Sequence, residues 1–134
     1  MAHDIVTVGT DGSCLRPTGT LGQDKPHPRN YGTFPRILGK YVREEKALTL
    51  QQAVRKMTSA AANRLGLSDR GQLRQGWCAD VVVFDPATVI DRATFTDPHQ
   101  FPAGIDYVLV NGQVVVSAGQ HTGKLPGVVL RSKH

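Results

Sequence analysis

The dipeptide Asn111-Gly112, set between Ile105–Val110 and Gln113–Val116, limits the folds open to this chain more than any other feature. Two β-branched runs separated by two residues that both tolerate positive φ predict a hairpin with a tight primed turn, and the turn sets the register of the pair. A third run, Ala79 to Asp85, is stopped by Pro86 and reads as a buried strand. From about Leu67 onward the chain therefore reads as mainly β. Asp97–Gly104 and Gly119–Gly127 are loops, and Val128–Leu130 is a short final strand.

The first half has a different texture. Ile5 to Val8 is a short apolar stretch, read as a strand, that runs into Thr10-Asp11-Gly12-Ser13. From Gly12 to Thr33 the sequence is dense in Gly, Pro, Thr and Asn, and a loop that long is uncommon in a compact domain unless it is functional or disordered. Helical pattern begins near Phe34-Pro35, where proline suits a first turn because its missing N–H has no partner there anyway. Ile37, Leu38, Tyr41 and Val42 then share one face, and the helix ends around Glu45.

Thr49 and Gln52 have the spacing of a capping box, in which hydroxyl and amide side chain each satisfy a free backbone N–H of the helix start. Leu50, Ala53, Val54, Met57, Ala61 and Leu65 keep close to a 3.6-residue period up to about Arg64. This is one helix, or two if Ser59 caps a new turn at Ala60, with Gly66 as the left-handed stop. The fold class is α/β, divided into residues 1–66 and 67–134.

Composition removes several function classes. The chain has 134 residues, enough for one domain with a modest core, and its 40% hydrophobic and 20% charged residues describe a globular sequence. The formal charge of +5 comes from scattered residues without a basic run, and Trp77 with the scattered Tyr and Phe residues forms no stacking series, so no nucleic-acid partner is expected. No apolar stretch is long enough for a signal-peptide core or a membrane span. Cys14 and Cys78 are too few for a disulfide framework and read as small apolar fillers, so a reduced, cytoplasmic setting is expected. Asp80, just before a strand, is expected to tie the turn at Gly76-Trp77.

Asp11 is the candidate catalytic group. An acidic residue that closes a strand before a glycine-rich loop stands where parallel α/β barrels place reacting groups, but such a barrel needs roughly 250 residues and only ten precede Asp11. The order of motifs supplies a context. It runs from strand-Thr-Asp-Gly-Ser through His27-Pro28-Arg29-Asn30-Tyr31-Gly32-Thr33-Phe34-Pro35-Arg36 and Ala53-Val54-Arg55-Lys56-Met57-Thr58-Ser59. It continues with Arg64-Leu65-Gly66-Leu67, Asp69-Arg70-Gly71, Gly76-Trp77-Cys78-Ala79-Asp80-Val81-Val82-Val83-Phe84-Asp85-Pro86 and Tyr107-Val108-Leu109-Val110-Asn111-Gly112. Over essentially its whole length the chain resembles the C-terminal portion of the N-acyl-D-amino-acid deacylases (D-aminoacylases) of the metal-dependent amidohydrolase superfamily. The Gly-x-x-Ala-Asp strand identifies only the wider superfamily, whereas the His-Pro-Arg loop narrows the resemblance to the deacylases.

The resemblance implies a hydrolase acting on carbon–nitrogen bonds other than peptide bonds. It implies the last strand and helices of a zinc-containing (β/α)8 barrel, followed by part of a small β-sandwich completed by strands from before the barrel. Asp11 matches the general base that takes a proton from metal-bound water and returns it to the leaving amine of an N-acyl-D-amino acid. Arg29 is placed to meet a substrate carboxylate, with His27 and Ser13 as further substrate-side residues.

The family's metal ligands would precede residue 1, and Asp11 is the one candidate ligand in this chain. His3, His27, His99, His121 and His134 form no His-x-His or His-x3-His spacing. The chain by itself is expected to hold no catalytic zinc and to be inactive. With its barrel and sandwich partners missing, it is expected to pair with a copy of itself or with a separate N-terminal chain. The alternative is a non-catalytic structural or interaction module that kept the β domain.

Overall fold

A computed structural model of the chain describes residues 3–131, so His134 lies outside the described residues. A short 3₁₀ turn at Thr20–Gly22 precedes α1 (Arg29–Arg36), which runs directly into a π-helical segment, Ile37–Glu44. Then come α2 (Leu50–Met57), α3 (Ser59–Arg64), β1 (Val81–Phe84), β2 (Ile105–Val110), β3 (Gln113–Ser117) and β4 (Gln120–His121). The strands form one open antiparallel sheet in the order β1-β2-β3-β4.

The helix begins one proline earlier than the sequence pattern predicts. Pro28, at φ −52°, precedes the first helical residue, and its carbonyl accepts from Tyr31 and Gly32. Pro35 falls inside α1, where it cannot donate to the preceding turn and its ring crowds the carbonyl four residues back. The wider i→i+5 pattern that follows from Ile37 is a known response to an interrupted ladder. At α2 the capping box forms as expected: Gln52 N–H donates to Thr49 Oγ1 and Thr49 N–H to Gln52 Oε1. The ladder then breaks at Thr58 (φ −129°, ψ −94°), whose hydroxyl donates back to Val54 O at 2.7 Å, so there are two helices. Gly66 is the left-handed stop, at φ 70°.

The Asn111-Gly112 hairpin forms with both turn residues at positive φ, 47° and 77°. Three other β expectations need correction. Ile5–Val8 is not a strand: Val6 N–H turns back to His3 O, and Val8 N–H meets Lys56 O in the helical layer. A strand needs a neighbouring strand, and among the described residues none lies alongside this stretch. β1 is an edge strand with Val82 and Val83 exposed rather than buried, because among the described residues only β2 pairs with it. The final strand is Gln120–His121, inside the expected loop, since it can fold back on β3, whereas 128–130 carry no strand.

One core joins the two halves. Ile37, Leu38, Leu48 and Ala53 pack with Val89, and Phe84 and Ile105 of the sheet close over them. The connection from β1 to β2 is wedged between sheet and helix. A Cβ on Gly39 would stand 2.6 Å from Val89 O, so glycine is what lets the helix approach this backbone. Arg43 donates to Val89 O at 2.7 Å, and Arg36 pairs with Asp91 at 3.0 Å.

Candidate active site

The structure brings Asp11, Ser13, His27 and Arg29 to one place, the rim formed by the 10–13 turn and the start of α1. Asp11 has φ 48°, a left-handed conformation that Asp tolerates better than most residues, and the turn places its carboxylate 87% exposed. Gly12 follows because a Cβ there would lie 2.9 Å from both Asn30 Oδ1 and Thr10 Oγ1. Gly12 N–H donates to Thr10 Oγ1 at 2.8 Å and Ser13 N–H to Asn30 Oδ1 at 2.5 Å. The turn is thus stitched to the first turn of α1.

Across this rim Arg29 Nη2 lies 3.0 Å from Asp11 Oδ2. His27 acts on its own neighbours. Its Nδ1 accepts from Arg29 N–H at 3.0 Å and its carbonyl accepts from Asn30 Nδ2 at 3.0 Å, so it caps the helix that carries the arginine. Because Nδ1 is the acceptor, the proton of neutral His27 sits on Nε2. Asn30 is a site residue that the sequence pattern does not reveal. Its amide links Ser13 to His27, and the Ser13–Asn30 bond spans 17 residues of chain that no local pattern encodes.

A second Arg–Asp cluster sits at the base of the sheet. Arg70 Nη1 meets Asp80 Oδ2 at 2.5 Å, and Asp80 Oδ1 accepts from Asn111 N–H at 2.8 Å. Asp80 therefore ties the 111–112 hairpin to residue 70, not the Gly76-Trp77 turn, because a carboxylate has two oxygens and both find donors here. Cys78 lies beside Arg70, with Sγ 3.2 Å from Nη2, so it is not the isolated filler expected. Burial still raises its thiol above the ordinary value, as does a hydrogen bond to Asp69, against the pull of Arg70. Cys14 is exposed, which also departs from a buried filler. Desolvation lowers the Arg70 guanidinium, but Asp80, Cys78 and Asp69 outweigh it and hold it above its ordinary value.

A separate apolar cavity of about 550 Å³ lies between helices and sheet, lined by Leu38, Val54, Met57, Val82, Phe84 and Val108 among others. It does not include Asp11, Ser13, His27 or Arg29. Among the described residues no three His, Cys, Asp or Glu side chains converge as a metal requires, and Asp11 faces a guanidinium. The donors present do not by themselves fit a zinc site. His99 is paired elsewhere, while His3 and His121 are exposed. Among the described residues no helix is long and apolar enough to cross a membrane.

Comparison with known proteins agrees with these motifs. The chain is 48% identical over 130 residues to the N-acyl-D-aspartate deacylase of Alcaligenes xylosoxydans xylosoxydans, covering 96% of this chain and 24% of that protein. It is 52% identical over 111 residues to the D-aminoacylase of the same organism, covering 80% of this chain and 23% of the relative. A crystal structure of D-aminoacylase superposes with a TM-score of 0.78 at 47% identity over 88% of this chain and 23% of that one. An N-acyl-D-glutamate deacylase from Bordetella bronchiseptica, complexed with zinc and a phosphonate mimic of the tetrahedral intermediate, gives a TM-score of 0.72 at 50% identity, covering 81% and 22%. The chain thus spans about a quarter of the length of the relatives it matches. A profile of the amidohydrolase family matches residues 15–116, more than half of the chain, and the chain belongs to that family.

Proposed function

We propose that this chain supplies the proton-transferring and carboxylate-recognising part of a zinc-dependent amidohydrolase that cleaves the amide of N-acyl-D-amino acids. The observation that carries the reading is the Asp11–Arg29 pair: an exposed carboxylate and a guanidinium 3.0 Å apart on a turn stitched to a helix start. In the absence of substrate each partner satisfies the other. A substrate carboxylate offers Arg29 a second acceptor of the same charge and a planar, two-point contact, and its arrival frees Asp11. A freed Asp11 within hydrogen-bond reach takes a proton from the attacking water and gives it to the amine nitrogen as the C–N bond breaks. Zinc, when bound by the complete enzyme, would supply the Lewis acidity; Asp11 is the one candidate ligand in this chain, and the others would come from outside it.

On this reading residues 1–66 are the end of the barrel and 67–134 part of a composite β-sandwich. The open edge of β1 and the apolar cavity are the surfaces that a separate N-terminal chain, or a second copy, would cover. The reading carries a cytoplasmic setting and no nucleic-acid partner. The test is complementation. The chain alone is expected to show substoichiometric zinc and no hydrolysis of N-acetyl-D-amino acids. Co-expressed with the remaining, N-terminal part of a D-aminoacylase relative, it should restore zinc-dependent hydrolysis that Asp11→Asn abolishes. A stable assembly without hydrolysis would leave the chain as a structural module.

A further inference from the structure

The connection between β1 and β2 carries no motif that the proposed chemistry uses, yet it reaches the rim. Phe95 stands edge-on to His27 with centroids 5.0 Å apart, and His99 and Phe101 stand edge-on to Tyr31 at 5.6 and 5.8 Å. His99 also makes two hydrogen bonds across the loop, one between Nδ1 and the Tyr31 hydroxyl at 2.9 Å and one from Nε2 to Asp24 O at 2.7 Å. Asp24 and Tyr31 bracket the segment that carries His27, Arg29 and Asn30. One imidazole therefore holds both ends of the segment that presents Arg29 to Asp11.

The base of this brace is firm. Val89 and Pro98 are fully buried, Ile90 and Ala103 bridge, and Asp91 is paired to Arg36. The chemistry also sets the direction of each bond. A carbonyl only accepts, so Nε2 of His99 carries the proton that meets Asp24 O; in the neutral imidazole Nδ1 then accepts from the Tyr31 hydroxyl, whose 2.9 Å contact there is shorter than its 3.4 Å contact with Leu15 O. Burial raises that hydroxyl above its ordinary value, so it stays a proton donor.

We propose that His99 is a positioning residue for the active site: through Asp24 and Tyr31 it fixes the 24–31 segment so that Arg29 faces Asp11, with Phe95 steadying His27. The assignment rests on the deacylase reading of Asp11 and Arg29, but its test does not need turnover. In the 134-residue chain, ¹⁵N shifts should place the His99 proton on Nε2. In His99→Ala the amides of Ser13, Arg29 and Asn30 should exchange about three- to tenfold faster, the size of one lost hydrogen bond, while those of Tyr107–Ser117 stay unchanged. His99→Gln, which can still donate to Asp24 O, should recover part of the protection. Phe95→Ala, at a side chain 75% exposed, should speed Arg29 exchange in the same direction without threatening the fold.

Equal acceleration in the sheet, no acceleration at the rim, or His99→Gln no better than His99→Ala would each overturn the proposal. If His99→Ala does not fold, the histidine tautomer together with Phe95→Ala decides. A failure of the deacylase reading looks different. The complemented enzyme would then lack hydrolysis while the exchange pattern stands.

Discussion

The Arg29–Asp11 and Arg70–Asp80 pairs use the same residue types at 3.0 and 2.5 Å in opposite surroundings. At the rim the side chains are 45% and 87% exposed; at the base of the sheet they are 13% and 34% exposed. Asp80 spends both oxygens on protein donors, and Arg70 also contacts Cys78 and Asp69. Water screens the first pair, so it contributes little to stability and its partners can exchange for a ligand. Water is more nearly kept from the second, which therefore acts as a structural tie whose loss leaves a half-buried guanidinium with only the longer contact to Asp69 as its ion pair.

The sharpest way to break this contrast is at Asp11. Asp11→Asn should lower hydrolysis by the complemented enzyme about 10²- to 10⁴-fold, the range for a lost general base, with substrate turnover as the readout. Asp80→Ala should do the reverse, destabilising the chain by about 1–3 kcal/mol in urea unfolding through the lost short contact to Arg70 and the freed Asn111 N–H. Gly39→Ala tests the junction between the halves. Its methyl meets Val89 backbone, which cannot swing aside, and a loss of about 1–3 kcal/mol is expected by the same measurement.

Thiol labelling compares the regions without mutation: at pH 8 an alkylating reagent should modify exposed Cys14 before Cys78. A raised thiol pKa leaves less thiolate at any pH below it, and mass spectrometry of the two peptides reads the order. The smallest effect is the stability of Asp11→Asn, expected within about 0.5 kcal/mol of the unmodified chain. A larger loss there would mean that the rim pair is structural after all.

What could be read from the residues was local or serial. The Thr49 capping box, the Gly66 stop and the Asn111-Gly112 turn each depend on a few consecutive side chains and backbone angles, and each stands where its pattern put it. The order of motifs pointed to the amidohydrolase family. The errors arose where a residue's partner was distant. Helical pattern read from Phe34-Pro35 missed the turn before it, which starts at Arg29 after Pro28. Ile5–Val8 has strand composition but lacks a strand to pair with among the described residues, and β1 is β-branched but has one neighbour where burial needs more.

The sequence by itself determined the hairpin, the caps, the family resemblance and the candidacy of Asp11, because these rest on short-range backbone preferences and on the identity of residues in order. Only the tertiary structure decided that Arg29 faces Asp11, that Asn30 and His27 brace them, that Asp80 closes on Arg70, and that His99 reaches back 75 residues to Asp24. Those pairings depend on how the β1–β2 connection wedges between helix and sheet. Packing of that kind is a property of surfaces meeting in space, to which neighbours in sequence contribute no sign.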